Sequence, residues 1–167
     1  KSCELGIKYV NSAIKSNPTN MFAQRLYSMC LIYLNHPEDA LNHFEAIKEI
    51  SPKDPENLRM DVRRAEANLC LSNFEEAKRY GRLSIAHLIT TWPSFTVLIS
   101  SLGHLGQFSE AKSAMSEMKN RIDSNPDVDA SSEEIMSYEY VKNNLPLLDN
   151  RFSKIYLSGL QKASFPA

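Results

Sequence analysis

Glycine is scarce in this chain, charge is balanced, and no long apolar run occurs. Five glycines in 167 residues leave little material for the Gly-rich loops that cradle phosphates in nucleotide-binding folds. Nineteen Lys and Arg against twenty Asp and Glu give a net charge of −1. A nucleic-acid or anionic-membrane partner is therefore not expected, because those surfaces call for a basic footprint. The longest unbroken apolar run, residues 29–34, falls far short of the roughly 20 residues that span a bilayer. Three cysteines, Cys3, Cys30 and Cys70, form no CxxC pair, so neither a zinc knuckle nor a haem attachment is suggested. Three thiols in a reducing cytoplasm are expected instead. No signal-peptide pattern precedes the first helical stretch, and the chain opens at Lys1 within it. A fragment of a longer protein is the expectation.

What the sequence does have is a period. Gly6, Ala40, Ala77 and Ala111 align at spacings of 34, 37 and 34 residues. Phe74-Glu75-Glu76-Ala77-Lys78 and Phe108-Ser109-Glu110-Ala111-Lys112 are near copies, with Pro37-Glu38-Asp39-Ala40-Leu41 beside them. Acidic residues suit the positive end of a helix, and a small residue lets two helices of a hairpin approach closely. Pro18, Pro52, Pro93 and Pro126 fit stops between units, since proline cannot continue a helix. Helices are expected over 2–16, 20–34, 37–50, 55–71, 74–90, 94–105, 108–123, 132–143 and 149–163. Asp54 ahead of Pro55 and Glu56 reads as an N-cap, and Ser131 with Glu134 as a capping box. Leu41, Phe44, Ile47 and Ile50 form an apolar ladder, echoed by Ala111, Met115, Met118 and Ile122. No alternating strand pattern appears. The expected fold is all-α.

A 34-residue helix-turn-helix unit with these features resembles the tetratricopeptide repeat. The resemblance implies a right-handed α-α superhelix of hairpins in one domain, 1–167. Its parts would be a partial repeat 1–18, repeats 19–53, 54–93 and 94–126, and a C-terminal capping helix pair 127–167. Gly106 fits the family's inter-helix turn. The large aromatic expected early in a first helix appears only as Phe95, and Arg64 and Asn68 stand where the family is usually apolar. Further on, Asn125-Pro126-Asp127, Leu145-Pro146 and residues 156–166, from Tyr156-Leu157-Ser158-Gly159-Leu160 to Phe165-Pro166, are similar to a bacterial ending. It follows the tetratricopeptide regions of class III adenylate or guanylate cyclases and of winged-helix transcriptional activators. Ser51-Pro52-Lys53-Asp54-Pro55 is likewise typical of that group. The resemblance implies a regulatory or assembly region of a bacterial signalling protein, with any catalytic domain outside these residues.

Candidate chemistry within the chain is thin. His36, His43, His87 and His104 show no HExxH and no helical i, i+3 or i, i+4 pairing, so no metal is expected. His36 reads as a turn residue and His43 as a solvated helix position. Gly103-His104-Leu105-Gly106 lacks the Lys-Ser/Thr of a phosphate loop and fits a helix end and turn. Glu75-Glu76 and Glu133-Glu134 open helices, where negative charge is favoured anyway. Cys30 and Cys70 fall in first helices of adjacent units and could approach each other, with nothing nearby to activate a thiol. No cofactor is implied and the fragment is expected to be non-catalytic.

The remaining candidate is a surface. In tetratricopeptide arrays the first helix of each pair lines a concave groove that takes peptides or helices. The resemblance places Phe22, Arg25, Met29, Ile32 and Tyr33 there from one unit. Arg59, Val62, Glu66 and Leu69 follow from the next, and Thr96, Ser100 and His104 from the third. Met, aromatics and Arg suit a protein-binding face, with Arg25 and Arg59 favouring an acidic or polar segment. Family members that clamp a C-terminal carboxylate use Lys and Asn where this chain has Arg25, Met29, Arg63, Pro93 and Val97, so that role is not implied. A protein or peptide partner is the leading expectation, and a homodimer that positions attached domains is the alternative.

Overall fold

The computed structural model describes residues 2–86, 92–125, 131–145 and 150–166. Eleven helical segments and no strand occur among the described residues: α1 (Ser2–Ser16), α2 (Met21–Tyr33), α3 (Pro37–Ile50), α4 (Glu56–Arg59), α5 (Asp61–Cys70), α6 (Phe74–Ala86), α7 (Trp92–Leu105), α8 (Phe108–Asp123), α9 (Ser132–Ile135), α10 (Tyr138–Asn144) and α11 (Arg151–Lys162). The chain is all-α. No helix among the described residues is long and apolar enough to cross a membrane. His87, Pro126 and the end of the helix expected over 74–90 lie outside the described residues.

Local chemistry explains the boundaries. The Asn20 side chain accepts from the Ala23 N–H at 3.1 Å and starts α2. Asp54 accepts from the Glu56 N–H at 2.8 Å, an N-cap role of the expected kind. Four helices end in one motif: Asn35, Ser72, Gly106 and Ser164 adopt φ of 67°, 64°, 70° and 57°. The next N–H in each case reaches five residues back, His36 to Leu31, Asn73 to Asn68, Gln107 to Leu102 and Phe165 to Leu160. This left-handed stop satisfies carbonyls that the helix leaves open. Only one of the four is the glycine that advertises such a stop in a sequence.

Two expected helices are divided. The stretch over 55–71 tightens at Met60, whose N–H is shared between the carbonyls of Glu56 and Asn57, at 3.2 Å each. The stretch over 132–143 breaks at Met136–Ser137, where Ser137 turns extended and caps α10 by accepting from the Tyr140 N–H at 3.1 Å. Ser131 caps α9 by accepting from the Glu134 N–H at 3.2 Å.

Packing proceeds from each helix to the next, α1 on α2, α2 on α3, α3 on α5, and so on to α8, while α2 meets α5 and α5 meets α7. Ala40, Ala77 and Ala111 are wholly buried where second helices press on first ones. Phe44, Ile47, Leu69, Val97, Ile99, Leu102 and Met118 fill the core between them. Arg64 and Asn68, at places usually apolar, are buried with partners. Arg64 pairs with Asp61 at 3.1 Å and lies over the Phe44 ring, and Asn68 donates to the Arg64 carbonyl at 2.9 Å.

The C-terminal segments sit differently from a simple end cap. α9 touches α8, but α11 packs chiefly on α7 and also on α5. It therefore lies across the first helices of two hairpins. Its buried face is Phe152, Ser153, Tyr156, Gly159 and Leu160, and its outer face carries Arg151, Lys154, Gln161 and Lys162.

Candidate functional site

The expected groove is a face of α2, α5 and α7, and it divides where α11 begins. Towards α7 it is covered. Thr96 and Ser100 are wholly buried. The Thr96 and Tyr156 hydroxyls share a hydrogen bond of 2.7 Å, and Ser100 donates to the Tyr156 carbonyl at 2.8 Å. His104 Nε2 lies 2.8 Å from the Ile155 carbonyl, so the imidazole donates there. Its Nδ1 faces Lys162 Nζ at 3.2 Å, and its ring stacks on Phe74 with centroids 4.3 Å apart.

Glycine makes this crossing possible. A Cβ on Gly103 would overlap the Gly159 carbonyl oxygen, and one on Gly159 would overlap both the hydroxyl and the carbonyl oxygen of Ser100. The backbones of α7 and α11 are in contact at that point. Gly106 is the turn expected of it, whereas Gly103 serves the crossing.

Under the start of α11 the α2 and α5 residues join a buried polar group. Arg63 donates to both Glu66 oxygens, at 2.8 and 2.6 Å, and to the Tyr33 hydroxyl at 3.1 Å. The Tyr33 ring leans on Phe152 with centroids 5.6 Å apart, and Phe152 meets Tyr156 edge-on at 5.2 Å. Asn150 ties the two ends together: its side chain caps α11 by accepting from the Ser153 N–H at 2.8 Å and donates to the Tyr33 carbonyl at 3.0 Å. Burial opposes the charges of both Arg63 and Glu66. The Glu66 carboxylate beside it outweighs this for Arg63, which stays protonated, while burial pushes the Glu66 carboxyl up. Burial likewise holds the Tyr156 hydroxyl well above its ordinary range. Ile32, Val62 and Leu69 are buried in the same region.

Towards the start of α2 the face is open. Phe22 is 55% exposed, with the Arg25 guanidinium 5.1 Å from its ring centroid. Arg25 and Arg59 each approach Glu56 at 3.0 Å. Two guanidiniums thus share one carboxylate, which leaves the strip net positive, with Leu58 exposed beside it. Met29 is half-buried. The structure therefore brings Phe22, Arg25 and Arg59 together at the surface and places Ile32, Val62, Glu66, Thr96 and Ser100 in the interior, with Tyr33 and His104 half-buried at its margin.

Other candidates resolve into structure. His36 is exposed at its turn, 3.7 Å from Asp39. His43 differs from the solvated position expected: it is half-buried, edge-on to Tyr27 with centroids 4.8 Å apart, and desolvation lowers its pKa. The Cys30 and Cys70 thiols are buried, and burial pushes the Cys70 thiol up, away from reactivity. Glu75 and Glu76 pair with Lys78 and Arg79 at 2.5 and 2.7 Å. No group of three or more His, Cys, Asp or Glu placed to hold a metal occurs among the described residues.

Sequence reasoning missed Arg63, Asn150, Phe152 and Tyr156 as members of this site. The amphipathic pattern of α11 was visible, but nothing local said which surface it would cover. No protein-family model matches the chain, and no curated protein or solved structure is significantly similar to it. What fold and site define is an all-α stack of helical hairpins whose inner face is closed on one side by its own last helix.

Proposed function

We propose that the chain is a non-catalytic protein-interaction and regulatory module of a bacterial signalling protein, attached to an adenylate cyclase-type output domain. The tetratricopeptide-like period supports the first part, and the similarity of the ending at 156–166 supports the second; that similarity leaves a winged-helix regulator as the alternative parent. The observation that carries the reading is the open strip of Phe22, Arg25 and Arg59. A half-exposed aromatic under a guanidinium contributes little to folding, yet aromatic and Arg side chains are the residues that anchor partners. Its two guanidiniums, set against the single Glu56 carboxylate, favour an acidic segment.

Replacing Phe22, Arg25 and Arg59 together by Ser, Gln and Gln tests this in the full-length protein. Tyr33 belongs in the control set instead, because its hydroxyl takes part in the buried polar group. The expected result is loss of partners in pull-downs with unchanged circular dichroism. Unchanged capture with an intact fold would end the proposal.

A second reading, self-association, has one observation in its favour. Leu5 and Tyr9, four residues apart on α1, are 53% and 69% exposed. Sedimentation over a wide concentration range distinguishes it; a strict monomer at the highest concentration removes it.

A further inference from the structure

α11 is the part of the molecule that treats the inner face as a binding site. Phe152, Tyr156, Gly159 and Leu160 recur at the spacing of one helical face, the pattern by which an amphipathic helix lies in a groove. Three features together favour the opening of this contact. Its α7 side is built of Thr96, Ser100, Gly103 and His104, whereas α5, α6 and α7 meet mainly through aliphatic and alanine side chains such as Ala65, Leu69, Ala77, Ile85 and Leu98, with one buried hydroxyl pair, Ser84 and Ser94, at 2.7 Å between α6 and α7. Hydroxyl and imidazole groups regain hydrogen bonds to water on opening, so each bond adds only about 1 kcal/mol net to the closed form. The Arg63–Glu66 pair is desolvated beside Tyr33 and Tyr156, and rehydrating a buried ion pair offsets part of the cost of opening. Finally, the covered half is continuous with the open Phe22–Arg25 strip beyond the start of α11, so an incoming segment has a place to seat first.

We propose that the inner face is a helix-binding groove kept closed by α11, and that its external ligand is an amphipathic helix carrying α11's own face, two aromatics four residues apart followed by a small residue at the crossing. The interaction-module reading underlies this step, but the two fail separately. Loss of the strip at Phe22 tests the module; displacement of α11 tests the groove.

The probe is a labelled peptide of residues 150–166, titrated against the full chain. Gly159→Leu lies in α11 and leaves the groove itself unaltered, while its side chain cannot pass Ser100. This variant is expected to bind the peptide saturably, at least about tenfold more tightly than the wild type, since a closed population weakens apparent affinity by the open fraction. Gly103→Leu, on the groove side of the same crossing, is expected to release α11 and yet bind no peptide. A folded Gly159→Leu chain that ignores the peptide would overturn the proposal. Should that variant not fold, amide exchange of the wild type decides. Exchange of α11 amides at least about tenfold faster than those of α6 and α7 supports a separately opening helix, and equal rates refute it. A wild-type dimer with exchanged α11 helices would make a second copy the occupant and also overturn the external ligand.

Discussion

The two halves of the inner face share one origin in the sequence and have opposite fates in the structure. Phe22 opens onto solvent at the start of α2 with Arg25 half-buried beside it, whereas Thr96, Ser100 and Glu66 are sealed beneath α11. The difference shows that groove-facing positions are not by themselves a binding surface. What covers them decides whether a side chain contributes to stability or to recognition.

The sharpest way to break the comparison is to truncate one aromatic from each half. Tyr156 is 1% exposed and hydrogen-bonded to Thr96. Tyr156→Ala should lower unfolding free energy by about 3–5 kcal/mol, the range for deleting a buried aromatic, as read by urea denaturation. Phe22→Ala should change it by no more than about 1 kcal/mol. Equal losses would erase the distinction between the halves.

Next in size is the contrast between two ion pairs. Glu66→Ala leaves Arg63 buried without its partner and should cost about 3–5 kcal/mol, whereas exchanging both for Leu and Met should recover most of it. Arg25→Met in the open half breaks the pair with Glu56, which Arg59 still serves, and should cost about 0–1 kcal/mol. Thermal melts of the three variants decide. A large loss at Arg25 would place it in the core.

Much of this architecture was legible from the chain itself. The period, the helix limits of α1, α3, α7 and α8 to within two residues, and the caps at Asp54 and Ser131 all follow from local chemistry. The stops at Asn35, Ser72 and Ser164 did not show, because residues other than glycine took the left-handed position. The break at Ser137 was hidden inside a run that reads as one helix. The docking of α11 was out of reach for a deeper reason. It depends on Gly103 and Gly159 meeting across 56 positions of chain, and each glycine alone reads as a weak point in a helix. The hydroxyls of Thr96 and Ser100 read equally well as groove lining and as hydrogen-bonding partners of Tyr156.

A smaller effect sharpens the covered half by pH. Desolvation, with Lys162 adding to it, holds His104 below its ordinary 6.5, although the hydrogen bond to Ile155 works the other way. A base whose folded pKa is depressed binds more protons once released. Its contribution to stability is therefore complete above 6.5 and is lost as pH falls from there towards the folded value. The protection of α11 amides, relative to their intrinsic exchange rates, should fall as pH drops below about 7, and His104→Gln should flatten that difference. His43 shifts in the same direction but sits on α3, so it affects global unfolding without favouring α11. Glu66 works with the opposite sign: its raised carboxyl supports the closed form at low pH and weakens it as pH rises. The difference between wild type and His104→Gln isolates the imidazole, and an unchanged profile would show that it does not sense the closure.

The smallest effect on stability is expected at Phe22, and there the absence of an effect is informative. More than half of its surface faces water, so truncation returns little apolar area to solvent. Its stacked Arg25 keeps the Glu56 pair when the ring is gone, and an exposed cation–π contact is worth about 0.5–1 kcal/mol. Phe22→Ala should therefore unfold within about 1 kcal/mol of the wild type, with unchanged exchange in α11. Partner capture should nevertheless fall, because an aromatic that contributes so little to folding is free to contribute to binding. A variant equal to the wild type in both stability and capture would leave the open half without a role. One that loosened α11 would show that the two halves are a single coupled surface.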